Sequence, residues 1–271
     1  MDKNEIIASA VKFVLEAPGN FITSEDALDP DYVGMKIFEE PVLAFGLADD
    51  ELYMKFKSPD IIGSNFLTPT EWLPGARTVI SFFLPYTDRI KCANAADKEW
   101  PAEEWLHGRY EGQLLVKALA VHLQELLAGS GYEALVPTLD DRFDTGNDIN
   151  EFASNWSERH VAFACGLGTF GLSGGLITRK GLCGRFGSVL TGLALPGDPR
   201  EYSDPHEYCS ICGACIKRCP VAAISLTYGK KSQLCSDFLD IVAERHKPRY
   251  GCGKCQVKVP CESGIPKKRK I

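Results

Sequence analysis

Apolar residues recur at three- and four-residue spacing from Asn4 to Glu16 (NEIIASAVKFVLE), and Pro18-Gly19 closes the run, so the pattern predicts an amphipathic first helix. Pro41–Ala48 (PVLAFGLA) predicts a strand. The Pro74-Gly75 turn followed by a β-branched and aromatic run up to Pro85 predicts a buried one. The strongest helical pattern lies in Trp100–Ala128, where Leu114, Leu115, Ala118, Leu119, Leu123, Leu126 and Leu127 share a face and Gly129-Ser130-Gly131 stops the helix. Beyond it the pattern predicts a strand over Glu133–Leu139, an acidic loop from Asp140 to Asp148, and a short helix over Asn155–Ala164. Strands over Leu176–Thr178 and Gly187–Leu195 follow. Mixed elements of this kind predict an α+β domain over residues 1–200, with a boundary near Pro199–Pro205 and a second, smaller domain over 201–271.

Composition narrows the class without naming a function. With 45% hydrophobic and 24% charged residues, the chain can bury an ordinary core. No apolar run reaches the roughly 18 residues of a membrane span. The start, Met1-Asp2-Lys3-Asn4-Glu5, has neither the basic beginning nor the apolar core of a signal peptide, so a reducing, cytoplasmic setting is expected. The net charge of −6 is uneven. Residues 245–271 hold nine Lys/Arg against Glu262 alone, and residues 1–244 hold 21 Lys/Arg against 35 Asp/Glu, a charge of −14.

The basic residues gather where the cysteines do. Eight of eleven cysteines fall between Cys209 and Cys261. Cys209, Cys212, Cys215 and Cys219 stand in the order C-x2-C-x2-C-x3-C-P, the spacing with which three thiolates hold one 4Fe–4S cube and the fourth reaches a second. Cys235, Cys252, Cys255 and Cys261 bring the thiolates to the eight that two cubes need. A zinc ribbon built on Cys209/Cys212 and Cys252/Cys255 would leave Cys215 and Cys219 unexplained. Disulfides do not suit a chain of this length and cysteine density. Arg249, Lys254 and Lys258 lie among these cysteines, where cations offset the charge of anionic cubes; the run Lys267-Lys268-Arg269-Lys270 could equally be a solvated tail or a phosphate contact. Cys92, Cys165 and Cys183 read as small buried hydrophobes.

Two other patterns invite a function and are set aside. Gly166-x-Gly168-x-x-Gly171 matches a dinucleotide fingerprint, but a helix is predicted before it, a strand after it, and Thr stands at 191 where an acid belongs. Such glycines still allow backbone to approach a flat ligand. Asp204-Pro205-His206 begins like a cobalamin-binding motif but runs into Cys209, so His206 reads as a surface residue.

The cysteine order, the segment Pro74–Tyr86 (PGARTVISFFLPY) and the loop CGLGTFGLSG from Cys165 together resemble the epoxyqueuosine reductase family, which is related to the reductive dehalogenases. Gly108-Arg109-Tyr110 is a weaker landmark of the same kind. The resemblance implies a nitroreductase-like α/β sandwich followed by a ferredoxin-like module. In such a protein a ferredoxin or flavodoxin would feed two cubes, and the cubes a corrinoid (cobalamin) that reduces a small organic substrate. It implies one cube on Cys209, Cys212, Cys215 and Cys261 and the other on Cys219, Cys235, Cys252 and Cys255. Gly166, Gly168, Gly171, Cys165 and Arg77 would be cofactor-binding. FMN in the nitroreductase-like domain is an alternative cofactor, and delivery of electrons to a partner such as a corrinoid protein an alternative role.

The chain departs from the family pattern in ways that bear on function. Cys261 comes two residues late, after Pro260, and Val259 stands in its place; Leu172-Ser173 replaces Lys-Asn after the glycine loop. The family's catalytic aspartate aligns near Phe152, which leaves Tyr110, Asp140, Asp141 and Glu151 as candidate proton donors. Members that act on tRNA continue into a further helical domain, and the charge of −14 would repel a phosphate backbone, so a small molecule is expected in preference to tRNA.

Overall fold

The computed structural model describes residues 1–145 and 152–267. Its centre is a strand that the sequence marks clearly. In β2 (Thr78–Pro85) every side chain is buried, because both faces of the sheet are covered. β1 (Val42–Leu47) pairs with it on one side and β6 (Gly184–Thr191) on the other, and β3 (Ala134–Leu135) adds to the far edge of β6, all antiparallel. Strand alternation divides the core. Ile80, Phe82 and Leu84 of β2 face a cluster built with α1 (Lys3–Glu16) and α5 (Glu103–Gly129). Val79 and Phe83 face another that holds Tyr53 and Phe56 of α2 (Glu51–Phe56), Trp72 of α3 (Pro69–Trp72), and Val161 and Phe163 of α6 (Glu158–Ala164).

α5 lies close against its neighbours because two of its positions lack side chains. A Cβ on Gly108 would sit 2.9 Å from the Tyr86 ring and one on Gly112 2.8 Å from the Phe38 ring, and the Tyr86 hydroxyl donates to the Gly108 carbonyl at 3.0 Å. This contact sets Arg109, the next residue, beside the end of β2.

Several boundaries differ from the expected ones. The strand expected over Glu133–Leu139 is only two residues long, since Pro137, which has no N–H to donate, begins a 3-10 turn over Pro137–Leu139. The strand expected over Gly187–Leu195 runs instead over Gly184–Thr191. Part of the glycine loop is itself a strand, β4 (Gly168–Phe170), paired with β5 (Leu176–Thr178). Helix α4 (Asp88–Ala96) had no sequence signal strong enough to predict it. Cys92 on α4 is exposed, contrary to the expectation of a buried hydrophobe; Cys165 and Cys183 are buried as expected. Among the described residues, no helix is long and apolar enough to cross a membrane.

The cysteine-rich stretch adds α7 (Ala214–Arg218), a hairpin of β7 (Ile224–Ser225) and β8 (Gly229–Lys230), and α8 (Ser232–His246). It is fastened to the sheet domain by buried polar contacts. Arg249 places its guanidinium on Glu111 of α5, with Nε 3.2 Å from Oε2, and on the Asp26 carbonyl at 2.6 Å. Lys254, fully buried, donates to the carbonyls of Asn94 at 2.8 Å and Asp97 at 3.2 Å, and burial pulls its ammonium down to about 8. The Leu182 N–H donates to the Cys261 carbonyl at 3.1 Å, and the Cys183 thiol to the Gln256 carbonyl at 2.9 Å.

Candidate electron-transfer site

The eight cysteines of the stretch are half-buried and fall into two fours. Cys209, Cys212, Cys215 and Cys261 line one small cavity together with Gly171, Leu172, Ser173 and Val259. Cys219, Cys235, Cys252 and Cys255 line a larger one of about 160 Å³, whose walls include Tyr86, Trp105, Arg109, Gly184, Arg185, Lys230 and Phe238. These are the two groups that the resemblance implied. Among the described residues, no three His, Cys, Asp or Glu side chains converge as around a single metal ion. A cube takes one thiolate at each of four iron corners, so its ligands surround a space and do not meet at a point. The donor set fits 4Fe–4S cubes for that reason and does not fit mononuclear zinc.

Local structure explains how residues far apart in sequence reach each cavity. On α8, Cys235, Phe238 and Val242 recur at helical spacing and face inward. The late position of Cys261 is accommodated by a left-handed step at Lys258 (φ 54°), whose N–H donates to the Glu262 carboxylate at 2.5 Å. Gly253 (φ 61°) sits where any side chain would fall inside the Trp105 indole, which lets Cys252 and Cys255 close over the larger cavity. Burial and the neighbouring thiols push Cys261 up to about 12, and burial drives Cys255 to about 12 against the pull of Lys230. A metal bound at these two thiols would have to displace their protons.

The wall shared with the sheet carries the other charged groups. Arg185, on β6, gives its guanidinium to the Gln113 side chain of α5, and burial with repulsion from Arg109 lowers it to about 10. Arg109 reaches the Tyr250 hydroxyl at 2.5 Å and lies 4.4 Å from the centre of that ring. Arg159 bonds the Gly174 carbonyl and feels the thiols of Cys255 and Cys235. Within reach of Arg185 is Glu158, at the first turn of α6. Its carboxylate accepts from the Ser188 hydroxyl at 2.7 Å, and Ser188 in turn accepts from Trp156 Nε1 at 3.0 Å. Burial raises Glu158 to about 7, with Ser188 and Arg185 opposing the rise. It is a carboxylic acid poised near neutral pH, the property sought in a proton donor.

Glu158 was not among the proton donors expected from sequence, and those fare differently. Asp140 is clamped by Arg142, Nε to Oδ1 at 2.8 Å, which holds it below the usual carboxylate range and unsuited to donate. Asp141 is exposed on the same turn, Tyr110 is half-buried with the Arg249 guanidinium 5.8 Å from its ring centre, and Glu151 lies outside the described residues. The only sequence signal for Glu158 was its place two turns before the glycine loop.

The expected cofactor-binding residues are not brought together. Arg77 is exposed at the start of β2, and Cys165 is packed at the same end, its Sγ 3.7 Å from the Val79 carbonyl and 3.8 Å from the Tyr53 hydroxyl. The larger cysteine cavity adjoins the other end, near Tyr86 and Gly184–Arg185, seven strand steps away or roughly 23 Å at about 3.3 Å per residue, whereas Gly171 alone of the expected residues reaches a cysteine cavity, the smaller one. Burial pushes Cys165 up to about 12, which makes it an inert core thiol. The glycines serve the hairpin. A Cβ on Gly168 would overlap the Ile177 carbonyl, one on Gly171 would meet the Ile177 side chain at 3.3 Å, and one on Gly166 the Pro199 carbonyl at 3.3 Å. The hairpin is preceded by a helix and followed by a strand, which disposes of the dinucleotide reading. His206 is exposed as expected.

The fold is shared with solved proteins. No protein-family model matches the chain. Among solved structures, an epoxyqueuosine reductase with an epoxyqueuosine-modified tRNA stem loop superposes with a TM-score of 0.53 at 20% identity, covering 83% of this chain and 62% of that one. The catabolic reductive dehalogenase NpRdhA in complex with 3-bromo-4-hydroxybenzoic acid superposes with a TM-score of 0.52 at 13% identity, covering 97% and 37%. The sheet-and-helix fold is thus the one found in epoxyqueuosine reductases and reductive dehalogenases. In sequence, the epoxyqueuosine reductase of Pseudomonas aeruginosa is 27% identical over 215 residues, 73% of this chain and 55% of that protein. That of Gloeobacter violaceus is 31% identical over 207 residues, 69% and 57%. The chain is a relative of the epoxyqueuosine reductases, and it spans little more than half the length of those it matches.

Proposed function

We propose that the chain is an iron–sulfur reductase in which Cys209, Cys212, Cys215 and Cys261 hold one 4Fe–4S cube and Cys219, Cys235, Cys252 and Cys255 the other. The observation that carries this reading is the sorting of eight thiols around two separate cavities, four to each. The cubes, when bound, supply single electrons at low potential. A ferredoxin or flavodoxin is the expected donor and a small organic molecule the expected substrate. Trp105 and Phe238 keep water from the second cavity, Arg109 and Arg185 stabilise negative charge on its sheet side, and Glu158 holds a proton beside Arg185. The relatives suggest a corrinoid as the final carrier, with FMN as the alternative. The glycine hairpin does not fit a macrocycle, because Ile177 and Pro199 fill the room at its glycines. A tRNA substrate, present in one solved relative, is not proposed for a body of charge −14.

The test is anaerobic reconstitution with iron, sulfide and cobalt quantitation. About eight irons per chain are expected for two cubes, and Cys255→Ala and Cys261→Ala should each lose the spectrum of one cube while keeping the other. One iron or one zinc per chain, or loss of both cubes in both variants, would overturn the assignment. Cobalt retained through gel filtration after addition of cobalamin would establish the corrinoid; flavin absorbance would establish FMN. Phe152, 46% exposed where the resemblance places an aspartate, favours a second reading in which the acceptor is a partner corrinoid protein. Turnover of a small substrate with an electron donor alone would exclude that reading.

A further inference from the structure

The two cavities differ in the charge around them. No charged side chain lines the cavity of Cys209, Cys212, Cys215 and Cys261, and the main electrostatic influences on Cys215 and Cys261 are their sister thiols. Arg109, Arg185 and Lys230 line the other cavity, and Arg159 and Lys254 act on its thiols from behind. Among the described residues, no carboxylate lies within ion-pair distance of Arg109, Arg159, Arg185 or Lys230. Arg109, Arg185 and Lys230 are half-buried, Arg159 is exposed, and Glu158 acts on Arg185 without pairing with it; cations gathered in this way raise the local affinity for an anion in the cavity they surround.

We infer, on the two-cube reading above, that these cations are the counter-charge of the second cube and make it the more easily reduced of the pair, the place where an electron rests before it leaves. A 4Fe–4S core with four thiolates carries two negative charges when oxidised and three when reduced, so nearby cations favour the reduced form. One electron from a low-potential one-electron donor, shared between the two cubes, would leave the second reduced and the first oxidised. Backbone N–H groups act on thiols of both sets, Ala223 donating to Cys219 Sγ at 3.2 Å and Ile216 to Cys215, and so favour neither cube. Burial opposes reduction at both cubes, and the thiols of both sets are half-buried alike. Only the cations distinguish the two.

The experiment is a stepwise dithionite titration of the anaerobically reconstituted full chain, followed by electron paramagnetic resonance. It compares the parent with Lys230→Met, Arg159→Met and Leu172→Lys, the last placing a cation at the first cavity. Two one-electron steps are expected in the parent. In Lys230→Met and Arg159→Met the step at higher potential moves to lower potential and the other stays, while in Leu172→Lys the step at lower potential rises. A shift of the lower step in Lys230→Met, or two steps unmoved in all three variants, would overturn the inference. Iron well below about eight per chain in the parent would sink the two-cube reading itself and is read separately from the titration.

Discussion

Glu111 joins the two halves of the molecule, and its removal should be costly. The side chain is 7% exposed; Arg249 is 8% exposed and His107 fully buried. His107 Nε2 accepts the Leu28 N–H at 3.2 Å, so Nδ1 carries the ring proton and donates to Glu111 at 3.1 Å. Arg249 Nη2 lies 2.5 Å from Oε1, an ion-pair contact without hydrogen-bond alignment, while its Nε bonds Oε2. Glu111→Ala strands a guanidinium whose remaining partner is the Asp26 carbonyl, together with an imidazole N–H. Breaking a buried pair from one side costs about 3–5 kcal/mol, a large part of the roughly 5–15 kcal/mol that holds a domain folded. Replacing both charges by apolar groups of similar size, Glu111→Leu with Arg249→Met, should recover most of the loss and leave about 1–3 kcal/mol for the orphaned imidazole N–H. Anaerobic urea unfolding followed by circular dichroism measures all three proteins. If Glu111→Ala unfolds within about 1 kcal/mol of the parent, the network is a solvated contact and does not fasten the cysteine-rich stretch to α5.

Gly253→Ala should lose the second cube selectively, since alanine at φ 61° costs roughly 1–2 kcal/mol before its methyl meets the Trp105 ring; iron retention near the parent's would contradict the packing described. Glu158→Gln should remove a pH dependence of stability. The folded pKa, about 7, lies above the usual 4.5, so the native state binds more protons between these values and the parent loses stability as pH rises through that window, by up to roughly 3 kcal/mol. The variant should be flatter by that amount in urea midpoints measured from pH 4.5 to 7.5, and parallel profiles would refute a raised Glu158.

The sequence was most legible where one requirement dominates. β2 was legible because a strand covered on both faces must be apolar throughout, and α5 because 27 residues of helical periodicity have no alternative. The cysteine-rich stretch was legible because the C-x2-C-x2-C-x3-C-P run marks it, while the division of its eight cysteines into two fours came from the family resemblance and not from spacing. α4 was not, since its buried face includes Lys91 and Asn94, held by Ser263, Asp88 and the Cys252 segment, contacts that periodicity cannot register. The glycine loop misled for a related reason. A missing side chain signals close approach, but only the fold shows that the approaching group at Gly168 is Ile177.

The same distinction governs the proton donor. Candidates drawn from the acidic loop were chosen by residue type, and Asp140 shows why that is insufficient: a carboxylate beside a guanidinium is held ionised. A donor at neutral pH needs burial that outweighs any nearby cation, and burial comes from partners scattered along the chain. Glu158 acquires it from Trp156 and from Ser188 in the middle of β6, three residues along the strand from Arg185. On the proposed reading, an electron resting beside Arg185 and a proton held on Glu158 would be linked through the field of that one guanidinium. If the chain is the proposed reductase, Phe152 stands where the resemblance places an aspartate, and the proton would have to come from another acid, for which Glu158 of α6 is the group whose titration fits.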